Sequence, residues 1–155
     1  MIEIKTALRA AYFSALQDNV NYLGVNIPMD QDFFNGTPAI LPIGNSSQVQ
    51  AYIVFQNQTV NDNNSPFCHV NQNTSCQLDV VTIFNANSGN SYHAEKITQA
   101  IYNLLFITDP KRITFNLPGL NLWRGWLESA NALVQETSDQ RIFRNVLIFQ
   151  HSISQ

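Results

Sequence analysis

Apolar residues recur at three- and four-residue spacing between Ile2 and Asp18, at Ile4, Leu8, Ala11, Tyr12, Ala15 and Leu16, with no Gly or Pro between them. That period predicts an amphipathic helix, with Asn19 and Asn21 as stop signals. Val20 to Met29 reads as extended chain. Asp30 to Ser47 carries Gly36, Pro38, Pro42 and Gly44 and reads as a long loop or irregular edge. Gln50 to Gln58 (QAYIVFQNQ) is rich in aromatic and β-branched residues and predicts a strand. Asn57 to Ser75, polar around NDNNSP, reads as a long hairpin loop. Cys76 to Phe84 is the next strand, with Leu78, Val80, Thr82 and Phe84 on one face and Asp79, Val81 and Ile83 on the other.

After a turn at Asn85 to Asn90, the period returns to that of a helix. Ser91 is its N-cap candidate and Glu95 an acid suited to its first turn; Ile97, Ala100, Ile101, Leu104 and Leu105 form its buried stripe. Asp109-Pro110 ends it, because a residue before proline is pushed out of the helical region. Beyond a turn at Pro118-Gly119, two extended runs follow, Trp123 to Thr137 and Arg141 to Ile153, joined at Ser138-Asp139. In the last run Phe143, Leu147 and Phe149 alternate with Arg144 and His151, while Val146 and Ile148 take the opposite side. Apolar residues on both faces place this strand inside a sheet. The order helix, strands, helix, strands predicts an α+β fold: an antiparallel or mixed sheet of about four to six strands with two helices packed on one face. Residues 1–155 fit one domain.

Composition sharpens the picture. Charged residues make up 12% of the chain, about half the usual share. Uncharged amides replace them, 19 Asn and 13 Gln. Amides keep a surface hydrophilic yet need no charge desolvated when a partner covers them, which suits repeated subunit contacts. An A+T-rich genome would give the same bias. The net charge is −3 and no Lys/Arg run occurs, so the footprint of a protein that grips duplex DNA is absent. No apolar run is long enough for a transmembrane helix, and Glu3, Lys5 and Arg9 interrupt the N-terminal segment where a signal peptide would be apolar. Two cysteines make no disulfide framework, and a reducing cytoplasm is the expected folding compartment.

Chemistry finds little support. Cys68, His69, Cys76 and His93 are the residue types zinc prefers, but no Cys-x-x-Cys spacing exists and Cys68 adjoins His69. Catalytic and nucleotide-binding fingerprints are missing, and Asp30 and Asp32 sit in a loop with no evident partner. The expectation is a non-enzyme with no cofactor and no metal. Contact residues stand out instead. Phe33 and Phe34 are adjacent bulky apolar residues in a Gly/Pro-rich loop. Trp123, Arg124 and Trp126 combine the side chains enriched at interface anchors, against a reading in which both Trp belong to the core. Arg141 and Arg144 could pair with Glu136, Asp139 or an acidic neighbour, or lie solvated.

The order of elements resembles the tail terminator and tail-completion proteins of tailed phages. An N-terminal helix is followed by a Pro-containing segment, a strand AYIVFQNQT, a strand LDVVTIF, a helix AEKITQAIYNLL, and a closing strand RIFRNVLIFQHSI. The resemblance covers nearly the whole chain as a pattern of elements; Asp30 to Ser47 and Asn57 to Ser75 are longer than the family's compact loops. It implies a virion protein of the neck or tail, assembled in the bacterial host cytoplasm. It would form a homo-oligomeric ring, six-fold or twelve-fold, that terminates the tail tube. Its implied partners are other copies of itself, the tail tube protein and a head-side connector or portal-adaptor protein. Genomic DNA would pass through the lumen without specific binding, and no membrane is involved. The alternatives are a head-tail connector or stopper ring and, in another class, a non-viral small-molecule or protein-binding module.

Overall fold

The computed structural model describes residues 3–44, 48–63 and 71–154. Helix α1 (Ile4–Leu16) buries Ile4, Leu8, Tyr12 and Leu16, the stripe its period predicts. It stops where Asp18 turns to φ 62° and the Asn19 side-chain amide donates to the carbonyl of Ala15 at 3.2 Å. The chain then does not run straight. Strands β1 (Asn21–Tyr22) and β2 (Val25–Asn26) form a tight hairpin, closed by Leu23 at φ 52° and Gly24 at φ 76°. Positive φ at both central residues defines the turn whose twist matches paired strands.

The segment expected to be irregular supplies two short edge strands, β3 (Met29–Gln31) and β4 (Ala39–Leu41). Both lie along β5 (Val49–Asn63), β3 parallel to it and β4 antiparallel. Strand β6 (Asn71–Asn85) returns beside β5. The polar stretch expected to be a long hairpin loop is therefore mostly paired strand, from Thr59↔Ser75 to Asn63↔Asn71. Helix α2 (Tyr92–Leu105) follows, then β7 (Asn121–Glu136) and β8 (Gln140–Ser154). The main sheet is mixed, in the order β3-β5-β6-β8-β7, with β4 also on β5. Strand β8 is central, as expected from its two partly apolar faces.

Both helices cover one face of this sheet. Ala51, Ile53 and Phe55 of β5, Leu78 and Val80 of β6, and Leu147, Phe149 and Ile153 of β8 meet Leu8, Tyr12, Ile97 and Ile101 in one core. The class is α+β. His151 belongs to this face, sharing parity with Phe143, Leu147 and Phe149, and is fully buried; the expectation that it alternates with them was wrong. The Ser91 hydroxyl does not cap α2. It donates to Glu95 at 2.7 Å, and the Asn90 side chain accepts the Tyr92 N–H at 3.0 Å instead. Gly89, at φ +85°, admits no side chain, since a Cβ there would lie 2.3 Å from the Phe84 ring.

Candidate assembly surfaces

Strand β7 ends the sheet, and its outer edge is divided. The Ile113 N–H donates to the Gly125 carbonyl at 2.8 Å, and the Arg112 guanidinium donates to the Trp123 carbonyl, so the segment after α2 covers the first half. From Glu128 to Glu136 no described residue pairs with that edge. This stretch protrudes past the helices: Ala130 to Glu136 are exposed on both faces of the strand. Leu133 and Val134 are 50% and 55% exposed. An unpaired edge that carries no charge from Ser129 to Gln135 is a template for another strand. Two bulges, between Leu122 and Arg124 and between Leu127 and Ser129, re-aim the side chains around them.

Trp123 sits at the first bulge, 63% exposed, with its indole N–H donating to Ser154 Oγ at 2.6 Å. Arg124 lies over the Trp126 ring, 4.8 Å from its centre. Of the two readings for this trio, the core reading fails for Trp123. Trp126, Arg124, Lys111, Tyr102 and Phe106 line a hollow of about 530 Å³ between the C-terminal half of α2 and β7.

At the opposite edge, Phe34 stacks on Tyr52 with ring centres 4.3 Å apart, while Phe33 stands 67% exposed. Asp30 is not without a partner. Its carboxylate accepts the backbone N–H groups of Asn35 and Gly36, both at 2.9 Å, and fixes this loop. Arg141 and Arg144, three apart on a strand, point to opposite faces. Arg141 pairs with Glu136 at 2.8 Å and lies over Phe143. Arg144 pairs with Asp79, which is 1% exposed and also accepts from Gln77 at 2.8 Å. Asp79 was absent from the partners expected for it. The two arginines are thus engaged within the chain. The seven candidate residues do not converge on one site: Phe33, Phe34 and Arg144 line one hollow, Arg124 and Trp126 another beside the exposed Trp123, and Arg141 pairs with Glu136.

The face of the sheet away from the helices presents Val54 and Val81, buried, and Ile83, Ile142, Val146 and Ile148, half-buried. A hollow of about 270 Å³ on this face is lined by Asp32, Phe33, Phe34, Tyr52, Asp79 and Arg144.

The buried titratable groups among the described residues are paired with one another. His151, Tyr12 and Cys76 meet in the core, all at most 1% exposed. The Tyr12 hydroxyl lies 2.7 Å from His151 Nε2, and His151 Nδ1 lies 3.3 Å from the Thr74 carbonyl. A carbonyl only accepts, so Nδ1 carries the proton and Nε2 accepts from Tyr12. Burial pushes His151 down to about 4 and Cys76 up to about 12, and raises Tyr12. At neutral pH all three are uncharged, sealed and satisfied. His93 bonds the Tyr22 hydroxyl at 2.7 Å, and burial lowers its pKa. Among the described residues no three His, Cys, Asp or Glu gather as metal ligands, and no helix is long and apolar enough to cross a membrane. Cys68 and His69 lie outside the described residues.

Sequence reasoning missed the bare β7 edge and the α2–β7 hollow. The signal for the edge was present, since Ser129 to Gln135 (SANALVQ) contains no charge and no proline. The hollow has none, because it joins residues from three separate segments.

What these features define, among the described residues, is an α+β protein with an unpaired stretch of sheet edge on β7 and an open hollow between α2 and β7. Among solved structures, the chain is similar to one from the virion of a native gene transfer agent (GTA) particle. The two are 17% identical, with a TM-score of 0.56, and the likeness covers 100% of each chain. At that identity the likeness is one of fold. No family model matches the chain, and no curated protein matches it.

Proposed function

We propose that this protein is a structural subunit of a phage-type virion, placed in the neck or tail. It acts as one domain and assembles into a homo-oligomeric ring that terminates the tail tube and meets the head-side connector. The observation that carries this reading is the full-length likeness of fold to a chain of a gene transfer agent virion, with neither chain left over. The surfaces agree with it. A closed ring needs two different patches on each copy that fit one another by rotation, and this chain carries exposed apolar residues at both ends of its sheet, Phe33 and Ile40 at one and Leu133 and Val134 at the other. Many modest contacts in a closed ring add to high avidity. The absence of basic runs suits a lumen that DNA traverses without adhering. A sealed, neutral Tyr12–His151–Cys76 cluster supports a role without catalysis.

The test is electron microscopy of particles made when the gene is disrupted in the genome that carries it. Unattached tails of uncontrolled length beside DNA-filled heads are the expected result. Heads that leak DNA or lack a collar would move the protein to the connector. Normal infectious particles would overturn the virion reading.

A further inference from the structure

The two ends of the sheet carry an exposed aromatic knob and an aromatic hole. The knob is Phe33, 67% exposed at the tip of the loop after β3. Its position is built before any partner arrives: Asp30 ties down the N–H groups of Asn35 and Gly36, and Phe34 is stacked on Tyr52. A preformed contact loses little conformational freedom on binding. The Asp32 N–H donates to the Phe55 carbonyl at 2.8 Å, which fixes where the loop leaves the sheet.

The hole is the hollow of about 530 Å³ at the other end, floored by Tyr102, Phe106 and Trp126 and flanked by Lys111 and Arg124. Neither cation is in an ion pair with a described acid. Beside the knob stands Asp32, whose carboxylate has one long contact, from Gln31 at 3.3 Å. Aromatic knob faces aromatic floor, and free acid faces free base.

The register gives the heights. Phe55 pairs with Leu78, and Leu78 with Leu147. At the hole, Leu127 pairs with Phe149. Trp126 and Arg124, also at the hole, pair with Gln150 and Ser152, so the hole lies two to five residues along β8 from Leu147, a rise of about 7 to 17 Å. A contact between two different patches joins copies head to tail, and it makes a ring where the rotation between copies closes. Strands β3 and β7 stand at opposite ends of the strand order, and Phe33 lines a different hollow from the one between α2 and β7.

We propose that Phe33 of one copy seats in the α2–β7 hollow of the next, with Asp32 facing Lys111 and Arg124, and that this contact sets the order of copies around the ring. The inference rests on the ring reading above and specifies its interface. Its test uses the full chain with Cys68→Ser, Phe33→Cys and Asn103→Cys, treated with a short bismaleimide; Cys76 is buried and is spared. A ladder of covalent multimers is expected, where either added cysteine alone gives none. In parallel, Phe33→Asp and Arg124→Glu, each at an exposed position, should raise the concentration needed for assembly at least tenfold while leaving circular dichroism unchanged. Wild-type rings with no ladder and no effect of either substitution would overturn this contact and leave the ring standing, with the hollow open to a different virion protein. A wild-type chain that forms no ring would overturn both.

Discussion

At Tyr12 and His151 the core solves a polar problem by local chemistry. An imidazole on the helix-facing side of β8 can be buried only if it is neutral and both nitrogens are satisfied; Tyr12 and the Thr74 carbonyl do this. Stability follows from the shift. The folded state holds His151 at about 4 against 6.5 in the open chain, so between those values the unfolded chain binds the extra proton. The contribution is complete above pH 6.5 and is lost as pH falls toward 4, about 3 kcal/mol in all. His93, also lowered, acts in the same direction. Urea midpoints should therefore fall from pH 6.5 to 5, before most carboxylates titrate, and fall less in His151→Gln. Equal slopes in both proteins would contradict the assignment. A second residue-scale case is Asp79. Losing Arg144 would leave a buried carboxylate unpaired, so Arg144→Met should cost about 3 kcal/mol, the lower part of the usual range because the guanidinium is 33% exposed. Adding Asp79→Leu should recover most of that loss in the same denaturation assay.

At the scale of elements, legibility tracked how far side chains dictate the backbone. Helices α1 and α2 and the paired cores of β5, β6 and β8 follow from apolar spacing, and their faces were assigned correctly wherever the alternation was counted from apolar residues. The paired arm from Thr59 to Asn63 against Asn71 to Ser75 was read as loop because nine of its ten residues are polar and leave no apolar alternation to see. Backbone ladders need no apolar side chain. The Leu23-Gly24 turn escaped for a related reason, since leucine at positive φ is not a turn signal. Among the candidate contact residues, Phe33 and Trp123 are exposed as an interface role requires, while Arg144 acts within the chain. The bare half of β7 yields a prediction at this scale. Leu133→Lys with Val134→Lys should change stability by less than about 0.5 kcal/mol, because both are half-exposed. The same pair should weaken self-association, because charge on an edge blocks strand addition. Circular dichroism melts and sedimentation velocity separate the two effects; a large loss of stability would mean that the edge is already packed.

For the whole molecule, the proposed role depends on other copies, and a monomer's sequence encodes such a role only as unspent surface. Few charges, many amides, aromatic residues outside the core and an edge stretch without charge from Ser129 to Gln135 are each weak signs. Folded together, they place a preformed Phe33 knob and a cationic, aromatic hollow at opposite ends of one sheet. That arrangement is what heterologous closure requires, and no single stretch of sequence displays it. The most direct measurement is native mass spectrometry of the purified chain across a concentration series, with negative-stain images of the same samples. A single closed species at six or twelve times 17.5 kDa, seen as rings, is the result this account predicts. A monomer at every concentration, with no ring in the images, would contradict it.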